Sequence, residues 1–275
     1  MVEISRDEGR RTFGADPRAY HQARPEYPPE VFEILVHRCG LRPGLATLEI
    51  GPGTGLATRH LLRLGAYPLI LVEPDPRLAE FLTGHLELAR RNVDLRVETF
   101  EHAPLPRRAF GLVCAASSFH WLDEIVALEK VGEILHPGGW WAVWWNSYGD
   151  PRRPDAFREA TQEVFRDLDN SPASGYDGRP PFALDHDRRV ERIRSVGAFT
   201  EIRSETFRRR VLFTSAELRA LYATFAPLAR QPPDDRSKRL DLLARIADEQ
   251  FGGRVEREVL TPLYTAQRSG TSGGE

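Results

Sequence analysis

Between residues 46 and 145 the hydrophobic positions fall into short runs, separated by longer stretches whose apolar residues recur every three or four positions. The runs at 46–50, 69–72, 94–97, 110–115 and 140–145 are brief and mostly apolar, as strands covered on both faces must be. The segments 56–64, 76–91 and 122–135 between them read as helices. The second opens on Pro76, whose fixed φ suits a first helical turn, and the third ends before His136-Pro137-Gly138-Gly139. Strand and helix alternating in this way predict βαβ units and a parallel sheet, so the fold class expected is α/β.

Outside this core the pattern is less regular. Pro28-Pro29-Glu30 starts a helix that runs to about Cys39 and ends at Gly40-Leu41-Arg42-Pro43-Gly44, and an aromatic-rich arm precedes it. Beyond Asn146, Asp150-Pro151-Arg152-Arg153-Pro154 reads as a linker, 155–168 as a helix, and 169–181, rich in Asn, Ser, Pro, Gly and Asp, as a mobile loop. Strands at 200–213 and 259–267, with a long helix at 234–251 between them, extend the sheet. Residues 269–275 carry nothing that forms a core and are expected to be disordered. The chain thus divides into an N-terminal arm and helix (1–45), a core (46–149), a helical lid with the last strands (150–268) and a tail (269–275).

Composition narrows the function. Of 275 residues, 41% are hydrophobic and 28% charged, ordinary for a globular protein, and no apolar run is long enough for a spanning helix. A net charge of −2 provides no field for a phosphate backbone or an anionic lipid surface, so neither nucleic acid nor membrane is an expected partner. Only two of the 38 basic residues are lysine, and the run Arg208-Arg209-Arg210 reads as a solvated strand face. The two cysteines, Cys39 and Cys114, suggest core thiols rather than a disulfide, and no ligand spacing for zinc is present, so no metal is expected. Residues 1–13 are charged and lack an apolar stretch of signal-peptide length, which points to the cytoplasm.

The sharpest chemical signal is Leu48-Glu49-Ile50-Gly51-Pro52-Gly53-Thr54-Gly55, between the first strand and the first helix. Glycines there let the chain turn tightly and let a ligand touch bare backbone. An acidic residue, Glu73, ends the second strand at close to the spacing of roughly 20 residues at which such a carboxylate takes both hydroxyls of a ribose. Together they define a nucleoside site at the carboxyl ends of the strands. A dinucleotide fingerprint starting at Gly53 would need Gly or Ala where Thr58 stands, and no Tyr-x-x-x-Lys pair is present for hydride transfer.

The motif Glu49-Ile50-Gly51-Pro52-Gly53-Thr54-Gly55, with Phe110-Gly111-Leu112-Val113-Cys114 and Leu135-His136-Pro137-Gly138-Gly139, resembles the class I S-adenosylmethionine-dependent methyltransferases. Phe13, Tyr20, Arg24-Pro25, Tyr27-Pro28 and Phe119-His120-Trp121 are similar to the small-molecule branch that includes trans-aconitate methyltransferase-like proteins. The resemblance implies a Rossmann-like, seven-stranded, mostly parallel sheet with an antiparallel edge strand, and S-adenosylmethionine as cofactor. It implies a cofactor site of Glu49, Gly51, Pro52, Gly53, Thr54, Gly55, Glu73, Pro74 and Ser117, with Thr99, Phe100 and Glu101 around the adenine. Tyr20 and Arg24, from an arm folded over the cofactor, would meet the methionine carboxylate. Many members carry an aspartate after the third strand for the adenine amino group, and this chain has Thr99 and Phe100 there.

Methyl transfer from a sulfonium is an in-line displacement that needs alignment and exclusion of water more than catalytic side chains. A carboxylate acceptor needs no base, whereas a phenol, amine or carbon acid does, and His120 is the candidate for that base or for a substrate contact. Trp121 and Asn146 are candidate substrate-side residues, and the acceptor expected is a small molecule. Three other readings stand beside this one: a nicotinamide-dependent oxidoreductase, a nucleic-acid methyltransferase, and a binding protein that keeps the cofactor pocket without turnover. The second lacks the Asn-or-Asp-Pro-Pro-aromatic signature, since Cys114-Ala115-Ala116-Ser117-Ser118-Phe119 stands in its place.

Overall fold

The computed structural model describes residues 3–88, 91–150, 152–175 and 180–270. Most of the expected disordered tail (271–275) and part of the expected mobile loop (176–179) lie outside the described residues. The strands β1 (Thr47–Ile50), β2 (Leu69–Val72), β3 (Val93–Arg96), β4 (Phe110–Ala116) and β5 (Leu135–Trp144) run parallel in the order β3-β2-β1-β4-β5. A two-residue strand β6 (Ser147–Tyr148) and two long strands, β7 (Phe199–Thr214) and β8 (Arg254–Arg268), complete the sheet. β8 is antiparallel both to β5 and to β7, so the antiparallel strand lies one position inside the edge rather than at the edge as expected. Burial explains the order: Val259, Leu260, Leu263, Tyr264 and Ala266 of β8 are buried, whereas β7 carries mostly exposed arginines, glutamates and threonines and can face water.

In the arm lie α1 (Arg6–Thr12) and α2 (Pro17–Ala23), followed by α3 (Pro29–His37). The crossover helices are α4 (Thr58–Arg63), α5 (Pro76–His85) and α6 (Glu124–Ile134). Beyond β6 come α7 (Ala156–Ala160), α8 (His186–Ser195), α9 (Ser215–Ala223), α10 (Ala226–Ala229) and α11 (Pro233–Phe251). α5 starts on Pro76 beneath the Asp75 side chain, which accepts from the Arg77 N–H, and α9 starts in a full capping box of Thr214 and Glu217.

Alternation along the strands divides the core between the two sheet faces. Leu48, Ile50, Val113, Ala115, Trp141, Val143 and Trp145 pack with Ala127, Leu128 and Val131 of α6 and Ile193 of α8. Leu69, Leu71, Leu112, Cys114, Ala142 and Trp144 pack on the opposite face with Val31, Phe32 and Leu35 of α3, Leu61 of α4 and Leu82 of α5. The adjacent Trp144 and Trp145 therefore belong to different faces. A separate cluster joins α9 and α11 to the far ends of β7 and β8 through Leu218, Leu221, Leu240, Leu243, Phe213 and Val255. Both cysteines are free and buried, and no helix among the described residues is long and apolar enough to cross a membrane.

Trp144 is fully buried and meets Tyr27 and Phe32 edge-on at centroid distances of 5.9 and 6.1 Å, so it ties the sheet to the start of α3. Trp144→Ala is expected to lower the unfolding free energy by about 3–5 kcal/mol, read from urea titration of the two proteins.

Candidate active site

The sheet order reverses between β1 and β4, and the crevice opens there, above the carboxyl ends of the strands. β1 leads into a loop in which Gly51, Gly53 and Gly55 have φ of 64, 57 and 86°, a left-handed backbone that other residues rarely adopt. At Gly51 and Gly55 an added Cβ would also meet Ser118 Cβ at 2.6 Å and Leu82 Cδ1 at 2.5 Å, so these two pack against their own protein. At Gly53 such an atom would meet nothing within 4 Å, which leaves bare backbone facing open space.

Glu73, only 4% exposed, holds this loop from the end of β2. Its Oε2 accepts from the Gly53 N–H at 2.9 Å and its Oε1 accepts from the Asp75 N–H at 3.0 Å. Glu49 lies behind the loop, with Oε2 accepting from Thr58 Oγ1 at 2.7 Å and Oε1 buried without a partner. Burial raises the Glu73 carboxyl to about 7, against the pull of the two N–H donors. Burial likewise raises Glu49 to about 7, and the Thr58 hydroxyl opposes it.

A narrow cleft of about 100 Å³ runs beside the loop, lined by Gly51, Pro52, Gly53, Thr54, Glu73, Pro74, Phe100 and Ser117 among others. The Thr54 hydroxyl is buried there with no partner. A second cavity of about 470 Å³ adjoins it and is lined chiefly by aromatic and small side chains from the arm, the segments 145–149, 171–175 and 181–183, and α10. Phe13, Tyr20, Ser117 and Trp121 line both, so the two spaces meet at these four side chains. Ser117 sits at the turn after β4 with a left-handed φ of 55°, and its Oγ accepts from Tyr27 Oη at 3.0 Å.

The arm closes over this junction through close contacts. Gly9 lies so near the Trp121 ring that an added Cβ would fall 2.0 Å from it, and at Gly14 such an atom would be 2.1 Å from Asp75 Oδ2. Arg10 donates to Glu101 Oε1 at 2.5 Å and to the Trp121 carbonyl at 2.8 Å, and Arg77 donates to the Arg11 carbonyl at 2.6 Å. Arg10, Tyr27 and Leu122 line the cleft without having been picked out as site residues from the sequence. Arg10 falls in a stretch of scattered charges, where nothing in the spacing distinguishes a guanidinium that turns inward.

Several candidates sit elsewhere than expected. Thr99 bonds His102 Nδ1 at 2.8 Å and Glu101 holds Arg10, and neither lines the cleft, whereas the intervening Phe100 does. Arg24 lines the second cavity and not the cleft beside Glu73. Asn146 borders the second cavity, but its polar atoms are committed: Nδ2 donates to the Pro25 and Glu26 carbonyls at 3.1 and 3.2 Å, and Oδ1 accepts from Thr261 Oγ1 at 2.7 Å. It fastens the arm to β8. His120 is 8% exposed, and Trp145 Nε1 donates to its Nδ1 at 3.1 Å. An indole nitrogen only donates, so Nδ1 is an acceptor and a neutral His120 carries its hydrogen on Nε2. Burial, helped by the charge of Arg24, lowers the imidazole to about 3, which keeps it neutral.

Residues 48–143 match the methyltransferase domain family. An uncharacterized methyltransferase of Schizosaccharomyces pombe is 25% identical over 262 residues, 94% of this chain and 97% of that protein. An uncharacterized methyltransferase of Mycobacterium bovis is 32% identical over 158 residues, 58% of this chain and 60% of its own length. Among solved structures, a phosphoethanolamine N-methyltransferase of Haemonchus contortus, determined with S-adenosylhomocysteine, shares the fold with a TM-score of 0.58 at 15% identity, covering 97% of this chain and 60% of that one. These likenesses support a class I S-adenosylmethionine-dependent methyltransferase domain at residues 48–143, with S-adenosylmethionine as its cofactor.

The raised carboxyls make stability depend on pH. An acid whose proton is held more tightly in the folded chain stabilises the fold at low pH and loses that contribution as pH rises through its folded value. With Glu49 moved from 4.5 to about 7, stability is expected to fall across that window by on the order of 1–3 kcal/mol. Glu49→Gln is expected to flatten the fall, as measured by urea unfolding at pH steps from 4.5 to 7.5.

Proposed function

We propose that this chain transfers the methyl group of S-adenosylmethionine to a small-molecule acceptor seated in the second cavity. The observation that carries the reading is the meeting of the two spaces at Phe13, Tyr20, Ser117 and Trp121, a place where a donor on one side and an acceptor on the other would face each other. The residues suit the cofactor on their own evidence. Gly53 offers backbone with no side chain in the way, Thr54 has a buried hydroxyl without a partner, and Glu73 keeps lone pairs beyond those given to Gly53 and Asp75.

In this reading Gly51, Gly53 and Gly55 shape the loop against the cofactor, Glu73 accepts from its ribose hydroxyls, and Pro74 and Phe100 flank its base. Ser117 and Tyr20 border the reacting end. The cofactor supplies an electrophilic sulfonium methyl, and the chain aligns the acceptor with it and keeps water out. Residues 1–45 cover the cofactor, 46–149 hold it, and 150–268 enclose the acceptor. Phe13, Tyr20, Arg24 and Tyr27, which carry the likeness to the trans-aconitate branch, all line one or both spaces. That fits a small enclosed acceptor better than a nucleic acid.

His120 acts here as a hydrogen-bond donor through Nε2–H and not as a general base, because its one lone pair is already taken by Trp145. Either the acceptor needs no deprotonation or its proton leaves to solvent. Trp121 walls the junction, with Phe13 at 5.8 Å.

Calorimetric titration tests the reading. S-adenosylhomocysteine is expected to bind and NADH not to bind, and Glu73→Ala is expected to weaken S-adenosylhomocysteine by roughly 10- to 100-fold, the worth of hydrogen bonds to a charged group. Binding of NADH alone, or an affinity unchanged by Glu73→Ala, contradicts it.

A further inference from the structure

The second cavity has an uneven charge. Arg24 and Arg158 line it, and no aspartate or glutamate does among the described residues. The nearby acids are engaged elsewhere: Asp150 takes Arg152 and Arg208, and Asp155 takes Arg257 at 2.6 Å. Among the described residues the Arg158 guanidinium donates only to the Asp150 and Arg153 carbonyls, at 3.3 and 3.0 Å.

Arg24 is the more telling of the two. Its guanidinium lies over the rings of Tyr20, Phe225 and Tyr148, at 4.9, 5.0 and 5.9 Å, which partly shield it from water without neutralising it. One nitrogen donates to the Thr224 carbonyl at 3.0 Å, Nε is buried with no partner, and no carboxylate pairs with it among the described residues. A partly desolvated cation left without a counter-charge is costly, and a bound anion relieves that cost. Two residues with neutral donors border the same space: Tyr148, whose buried hydroxyl has no acceptor for its proton, and His120, which must carry its hydrogen on Nε2. Apart from four serines and Asn146, the remaining wall, including Phe165, Phe182, Trp145 and Ala173, is mostly apolar.

We propose that the second cavity selects an organic anion with an aromatic or otherwise apolar body, its charged group held by Arg24 with help from Tyr148 and Arg158. The inference rests on the methyl-transfer reading and narrows its acceptor. Since Arg24 lines the second cavity and not the cofactor cleft, the anion is the handle of the acceptor, and the atom that receives the methyl belongs to the part reaching Ser117 and Trp121. Ammonium-bearing acceptors are disfavoured, because they would add a cation to a space that already holds two.

The test uses the full chain loaded with S-adenosylhomocysteine and two probes of matched shape, 3-phenylpropionate and 3-phenylpropionamide, followed by ligand-observed NMR titration. The acid is expected to bind about tenfold or more tightly than the amide, as a charge-assisted pair to guanidinium requires. Arg24→Met is expected to abolish that preference while leaving the affinity for S-adenosylhomocysteine within about twofold, which also certifies that the variant is folded. Arg158→Met is expected to reduce the preference in part. Equal affinity for acid and amide, or no binding of the acid, overturns the proposal. So does an Arg24→Met variant that binds S-adenosylhomocysteine far more weakly but 5′-methylthioadenosine as before, for Arg24 would then serve the cofactor's own carboxylate. A wild-type chain that fails to bind S-adenosylhomocysteine refutes the methyl-transfer reading itself and is seen before any probe is added.

Discussion

The arrangement depends on one buried carboxylate. Glu73 reaches from the end of β2 to the Gly53 N–H, so the loop that follows β1 is fixed to the neighbouring strand by a hydrogen bond 2.9 Å long in a nearly water-free place. A loop of three glycines in left-handed backbone has many alternatives when free, and this bond, with Ser118 and Leu82 packed where two of the glycines lack side chains, removes them. The cost is a carboxyl that ionises reluctantly. In the proposed reading a ribose that offers two hydroxyls to Glu73 compensates that cost, so that one residue both organises the loop and receives the ligand.

Around this fixed point the chain builds two unlike compartments. One is narrow, with bare backbone and acid at its rim, and the other is larger, aromatic and basic. Polar groups that border the larger one are engaged within the protein: Asn146 joins the arm to β8, and the indole of Trp145 fixes the tautomer of His120. These groups give the second space its shape and leave its chemistry to the arginines, the Tyr148 hydroxyl and one imidazole N–H.

The parallel core was readable because doubly covered strands must be short and apolar, and because Gly51, Gly53 and Gly55 with Glu73 leave few other geometries. The long partners β7 and β8 were seen as strands, but their order was not, since periodicity says which face is buried and not which neighbour a strand takes. α8 escaped notice because its sequence, His186-Asp187-Arg188-Arg189-Val190-Glu191-Arg192-Ile193-Arg194-Ser195, buries an arginine, Arg189, against Glu124 and so lacks an apolar stripe. At the site, types were legible and directions were not. Phe100 enters the cleft while its neighbours Thr99 and Glu101 do not, and the inward turn of Arg10 depends on Glu101 and the Trp121 carbonyl, partners far away in sequence.

The central claim is that the cleft beside Glu73 and the arginine-bearing cavity are the donor and acceptor halves of one site. A crystal structure of the chain with S-adenosylhomocysteine measures this most directly. The account predicts both ribose hydroxyls within hydrogen-bond distance of Glu73 and the sulfur directed at the junction of Phe13, Tyr20, Ser117 and Trp121. A ligand lodged elsewhere, or one whose sulfur faces away from the second cavity, would contradict it.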